Sequence, residues 1–241
     1  MRRLFRGFER CGLKYLLISG QASVLYGAAM FSEDIDIWIR PTVANARQLL
    51  LALADQHARV HRLTPPLTLR NMNAGHGFHF VIPGAPLDTY LDVMARPPRV
   101  GSFDAAMRRA RRIRTDWGLL PVVHPADLVE IKKTRRLADF DIITNLVLLY
   151  LEEHRVPGKA LLRWAAANCF RPEERAAILA RLGGRHTVAQ CARHIAKEVM
   201  NLQSQDRSYW SPIIDELRLM PREGKLLPDG ADVSRLKRKP T

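Results

Sequence analysis

Two short runs decide how this chain folds: Lys14-Tyr15-Leu16-Leu17-Ile18-Ser19-Gly20 and, thirteen residues later, Asp34-Ile35-Asp36-Ile37-Trp38-Ile39. The first is an uninterrupted apolar stretch stopped by glycine, which is the pattern of a buried strand. The second alternates strictly and is closed by Arg40-Pro41, which predicts another strand. Gln21 to Met30 has helical composition, so the order is strand, helix, strand. Alternation places Asp34 and Asp36 on one face of the second strand and Ile35, Ile37 and Ile39 on the opposite, buried face. Neighbouring carboxylates repel unless a cation lies between them, and hard oxygen ligands suit Mg²⁺ or Mn²⁺. The Gly20 turn and the helix start after it bring backbone N–H groups to where a triphosphate can sit, with Ser19 and Ser23 as hydroxyl donors.

Working outward, Val43, Ala46, Leu49, Leu50 and Leu53 recur at helical spacing, so 42–56 is predicted to be an amphipathic helix with Thr42 or Asn45 near its start. Residues 78–82 and 87–94 alternate on either side of a Pro-Gly-Ala-Pro segment, a hairpin signal. Asp88, Tyr90 and Asp92 share one face of the second arm. Asp92 lies deeper in the apolar run and Asp88 is next to the turn, so Asp92 is the third carboxylate, suited to orient or deprotonate an attacking hydroxyl. A short basic helix is predicted over 102–112 and a short strand over 119–123. Beyond them only helices are expected, over 127–153, 158–168, 172–182 and 187–202, split by Pro and Gly. The chain thus divides into a mixed α and β region at 1–123, a helical domain at 124–220 and a basic, loosely ordered tail at 221–241.

With 241 residues, 47% of them apolar and 26% charged, the chain has the composition of an ordinary globular protein. The unusual quantity is charge: 38 Lys and Arg against 24 Asp and Glu give +14, which favours a polyanionic partner, nucleic acid first. Arginines spread over solvated faces would give the same number. Cys11, Cys169 and Cys191 form no CxxC pair and follow no secretory leader, so a cytoplasmic setting is expected. The apolar run at 15–18 is too short to span a bilayer, and no membrane role is expected. His76 and His79 lack a third ligand at zinc spacing. His124, before Pro125, reads as a capping residue, and Trp38 and Trp117 as packing groups. The basic segment Arg96, Arg99, Arg108, Arg109, Arg111, Arg112 and Arg114 is either a contact for an RNA backbone or a solvated face.

Ile18-Ser19-Gly20 followed by Asp34-Ile35-Asp36-Ile37 resembles the signature of DNA-polymerase-beta-like nucleotidyltransferases, a hydrophobic residue and a glycine turn followed by an acidic dyad. Gly20-Gln21-Ala22, Tyr26-Gly27, Ser32 and Asn45 extend the likeness to small prokaryotic members of the AbiEii/MenT type. Asp127 through Lys132 and Arg136 to Asp139 is similar to a helix of those proteins. The resemblance implies an α+β fold, with a mixed-sheet nucleotidyltransferase core carrying helices and a helical C-terminal domain after it. It further implies Mg²⁺ (or Mn²⁺) held by Asp34, Asp36 and Asp92. The nucleoside triphosphate would be contacted by Ser19, Gly20, Gln21, Ser23 and Ser32 and neutralised by Lys132, with Arg136 and Asp139 in support. A nucleoside monophosphate would pass to an acceptor hydroxyl, with a tRNA-like RNA as the first expectation and a cognate toxin or antitoxin as a possible partner. A protein acceptor, or a non-catalytic nucleic-acid-binding protein, are the alternatives. Two positions depart from the pattern: Ser19 stands where the family has its first glycine, and Met30 where relatives often carry arginine.

Overall fold

The computed structural model describes residues 1–84 and 86–238. Its centre is a mixed sheet of seven strands in the order β3-β4-β5-β2-β1-β7-β6. β1 (Tyr15–Ile18) and β2 (Ile35–Ile39) are the two runs quoted first; they pair antiparallel, with Tyr15 opposite Ile39 and Ile18 opposite Asp36. All four residues of β1 are buried because it lies inside the sheet, flanked by β2 and by β7 (Gly118–Val122). The hairpin is present as β4 (Gly77–Ile82) and β5 (Thr89–Met94), and β5 runs parallel to β2.

α1 (Arg2–Arg10) buries Leu4, Phe5 and Phe8, and Phe5 and Phe8 pack on Tyr15. α3 (Val43–Ala54) begins as its threonine predicts: the Thr42 hydroxyl accepts from the Asn45 N–H. Asn45 then clasps the sheet, donating to the carbonyls of Lys14 and Arg40 and accepting from the Lys14 N–H at 2.8 Å. The Asn45 seen in the sequence likeness therefore joins the start of β1 to the end of β2.

Several elements differ from expectation. The helix after Gly20 begins earlier and is short: α2 spans Ser19–Leu25. The helix expected over 102–112 ends as α5 (Phe103–Arg109), and the arginines beyond it form β6 (Arg111–Thr115), antiparallel to β7. Exposed Arg112 and Arg114 alternate with half-buried Arg111 and Ile113, which is strand periodicity beneath a run of like charges. A two-residue strand, β3 (Arg59–Val60), forms the edge beside β4.

The helix expected over 127–153 is two helices, α6 (Pro125–Ile131) and α7 (Leu137–Glu152). Between them Lys132, Lys133, Arg135 and Arg136 would crowd one helical turn; Thr134 instead turns the chain, bonding to Asp139 and accepting from the Arg136 N–H. α8 (Lys159–Asn168) and α9 (Pro172–Arg181) follow. α10 (Val188–Leu219) runs well past the expected end at 202, through Pro212. It is anchored there by buried Asp206, which accepts from the Arg135 N–H and the Trp210 indole, and by Tyr209, which donates to the Arg96 carbonyl.

The chain beyond 221 is not loose where it is described. Residues 227–233 bond to Ala58, Val60 and Thr64 through their backbones, Val233 is fully buried, and a 3₁₀ turn over Val233–Arg238 lies against α3. One hydrophobic cluster runs from Leu4 through the sheet to Ile195 and Val233. Among the described residues no helix is long and apolar enough to cross a membrane.

Candidate active site

Register builds the site. Asp36 on β2 stands opposite Asp92 on the parallel neighbour β5, and Asp92 stands opposite His79 on β4, so the three form a row on one face across three strands. Asp34 immediately precedes β2 at the same end. Ile35 and Ile37 point away into the core, fully buried, which fixes the carboxylates on the other face. Asp88 is exposed and accepts from the Gly84 N–H in the turn, as its position predicts.

Asp92 perturbs both of the other carboxylates. Burial, and then the charge of Asp92, push Asp36 up to about 7; the Lys132 ammonium, the Ser19 hydroxyl and the Gly20 N–H act the other way. Burial and Asp92 also raise Asp34, against the charges of Arg62 and His61. Asp92 gives one oxygen to His79 Nδ1 at 2.7 Å, with both side chains about three-quarters shielded. Gly77 leaves the space for that ring: a Cβ there would lie 3.2 Å from His79 Nε2.

The turn works differently from its sequence expectation. Ser19 itself takes the left-handed conformation, at φ +55, while Gly20 does not. Glycine is required at 20 for space, since a Cβ would come within 2.2 Å of the Ser32 hydroxyl oxygen. The Ser19 hydroxyl and the Gly20 N–H lie close enough to Asp36 to favour its carboxylate. Gln21 is buried and donates to the Ser32 carbonyl at 3.0 Å, fully buried Ser23 donates to the Ser19 carbonyl, and Ser32 donates to the Asp34 carbonyl. These side chains tie the loop that carries Asp34 to the helix beneath it.

Lys132 is buried at the end of α6, paired with Asp139 at 2.8 Å and close enough to favour the Asp36 carboxylate. Arg136 is brought to the same Asp139 at 3.7 Å but stays exposed. His79, His61 and Arg62 are neighbours of the carboxylates that sequence reasoning missed; only strand register and the loop after β3 bring them there. The remaining sequence candidates take structural positions. Trp38 is buried and donates to the Ala95 carbonyl, Trp117 stacks on Phe5, and His124 caps α6 by accepting from the Ala126 N–H. His76 turns to Glu216, away from His79.

An all-oxygen set in which Asp92 raises Asp34 and Asp36 is chemically suited to a hard divalent cation. Among the described residues, however, no three His, Cys, Asp or Glu side chains stand closed around one point that could hold a metal ion. Asp36 and Asp92, opposite each other on strands about 4.8 Å apart, are adjacent on the sheet face.

No protein-family model matches the chain, and no curated protein matches it. Among solved structures it is similar to "Crystal structure of putative nucleotidyltransferase from H. pylori", at 11% identity and a TM-score of 0.43, over 85% of this chain and 94% of that one. A likeness at this level leaves the chemistry to be argued from the carboxylates themselves.

Proposed function

We propose that this protein is a Mg²⁺-dependent nucleotidyltransferase that moves a nucleoside monophosphate from an NTP to a hydroxyl acceptor on RNA. The observation that carries this is the facing pair Asp36 and Asp92 with Asp34 at the strand entry, where the charge of Asp92 raises both of the other acids, an arrangement with no structural benefit without a cation. Asp34, Asp36 and Asp92 would hold the metal. When bound, it would neutralise phosphate charge and favour the ionised acceptor hydroxyl.

The chain's own groups supply position and charge. Asp92, hydrogen-bonded to His79, would take the acceptor proton. Lys132, fixed by Asp139, keeps Asp36 ionisable, and Arg62 and Arg136 offer guanidinium groups for the triphosphate. RNA is favoured as acceptor by the +14 net charge. A toxin-type role with a cognate partner belongs to the same proposal through the sequence likeness alone.

The test is incubation of the protein with each alpha-labelled NTP, Mg²⁺ and total tRNA or lysate, beside Asp34→Ala and Asp36→Ala. Label on RNA with wild type only supports the proposal. Label on a protein band moves the acceptor to a partner protein. Full activity in Asp36→Ala sinks the site, and absence of Mg²⁺-dependent nucleotide binding leaves a nucleic-acid-binding protein.

A further inference from the structure

A groove of about 1340 Å³ lies at the opposite end of β1 and β2 from the carboxylates, between α1, the start of α5 and the β6–β7 hairpin. Lys14 and Arg40, which line it, flank the Tyr15–Ile39 end of the pair, whereas Ser19 and Asp34 flank the other end. Four residues of strand separate Arg40 from Asp36, about 13 Å. It is therefore a second surface, distinct from the acidic row.

Its walls are cationic. Arg2, Arg6, Lys14, Arg40, Arg112 and Arg114 face Glu9, Asp104 and Asp116, six charges against three. Asp104 neutralises Arg40 through two hydrogen bonds. Among the described residues, exposed Arg6, Lys14, Arg112 and Arg114 have no carboxylate within ion-pair distance. Uncompensated cations close together repel one another and are relieved by a polyanion. The β6 alternation matters here, because it sends Arg112 and Arg114 out on one face together instead of around a helix. The groove also has an aromatic wall: half-buried Trp117 stacks on Phe5 at 5.9 Å and 14°, and Leu119 beside it is 54% exposed.

We propose that this groove binds the sugar-phosphate backbone of single-stranded RNA, docking the acceptor whose end is presented to the carboxylates. This builds on the RNA acceptor proposed above. The chemistry separates RNA from other polyanions: the guanidinium groups match phosphate oxygens in two-point contacts, and an aromatic wall offers a stacking surface for bases that an acidic peptide does not use.

The experiment measures binding of fluorescent single-stranded RNA and unfractionated tRNA by anisotropy, in EDTA without NTP, over a series of KCl concentrations. The variants are the triple Arg6→Gln, Arg112→Gln, Arg114→Gln and, as an equal loss of charge elsewhere, the triple Arg155→Gln, Arg185→Gln, Arg193→Gln. All six positions are exposed, so both proteins should fold, which circular dichroism checks. The groove triple is expected to bind about tenfold or more weakly at low salt, with the slope of log K against log salt shallower by about 2. The other triple should stay near wild type, and polyglutamate should compete poorly. Wild-type affinity and slope in the groove triple, equal losses in both triples, or displacement of RNA by polyglutamate at equal charge would each overturn the assignment. If no RNA is ever labelled with nucleotide yet the groove triple still loses RNA, the reaction fails and the groove stands. If RNA is labelled and the groove triple binds it normally, the groove fails and the reaction stands.

Discussion

Replacing Asp36 by Asn tests the site through stability, independently of any substrate. In the folded protein Asp36 is raised from 3.8 to about 7, mainly by burial and by Asp92. A raised acid binds more protons folded than unfolded between those two values, so its stabilising contribution is complete below the lower one and is lost as pH climbs through the higher one. About 3 units at 1.36 kcal/mol each give a ceiling of about 4 kcal/mol. Asparagine carries no charge and keeps an Oδ1 acceptor near the Ser19 hydroxyl and Gly20 N–H. Without divalent metal, Asp36→Asn should therefore match or slightly trail wild type at pH 4 and exceed it at pH 8. The melting temperature difference should grow by up to roughly 8–16 °C between the two. Mg²⁺ at pH 8 should raise wild type and leave the variant unmoved, while the variant catalyses no transfer. Thermal unfolding by circular dichroism with EDTA or Mg²⁺ reads all of this. A variant less stable than wild type at pH 8, or a difference that does not change with pH, would refute the electrostatic account.

Three further outcomes follow from neighbouring contacts. His79→Ala frees the Asp92 carboxylate and should weaken apparent Mg²⁺ affinity by about tenfold or more, with His79→Asn recovering part of it, as read by Mg²⁺ titration of nucleotide binding. Gly20→Ala drives a Cβ against Ser32 and should cost about 1–3 kcal/mol in thermal or urea unfolding. Adding Ser32→Gly should return most of that loss; no recovery would mean that Gly20 is required for another reason. Lys132→Met leaves Asp139 buried with Arg136 at 3.7 Å as its only remaining cation among the described residues, and should cost about 3–5 kcal/mol by denaturant titration.

The acidic strand was legible because its information is local: Asp34-Ile35-Asp36-Ile37 carries its own period, and depth within an apolar run distinguishes Asp92 from Asp88. His79 was not, because its partner is set by the register of β4 on β5, which no single strand encodes. The arginines of β6 misled for a related reason. Four basic residues within 108–112 resemble a solvated helix face, and only pairing with β7 makes their alternation decisive. Lys132, Arg136 and Asp139 meet around a break between α6 and α7 rather than along one helix. The described part of the tail is held chiefly by backbone hydrogen bonds, which leave little mark on side-chain pattern.

The departure at Ser19 has a physical account of its own. A serine at φ +55 costs about 1–2 kcal/mol relative to glycine, and a glycine there would remove that strain. Glycine would also remove the hydroxyl that favours the Asp36 carboxylate, beside a residue already raised to about 7 by burial. Strain in the turn and charge in the strand are thus coupled: the backbone is held in an unfavourable region where a side-chain donor meets a buried acid. Gly20, packed against Ser32, and Ser32, bonded to the Asp34 carbonyl, extend the same coupling to the second carboxylate. Such local costs persist where the surrounding structure over-determines them, and here the sheet does so through Ile18 opposite Asp36 and Asp36 opposite Asp92. Under the proposed function a cation at the carboxylates would relieve the electrostatic cost, while the strain at Ser19 is the cost of holding the hydroxyl near Asp36.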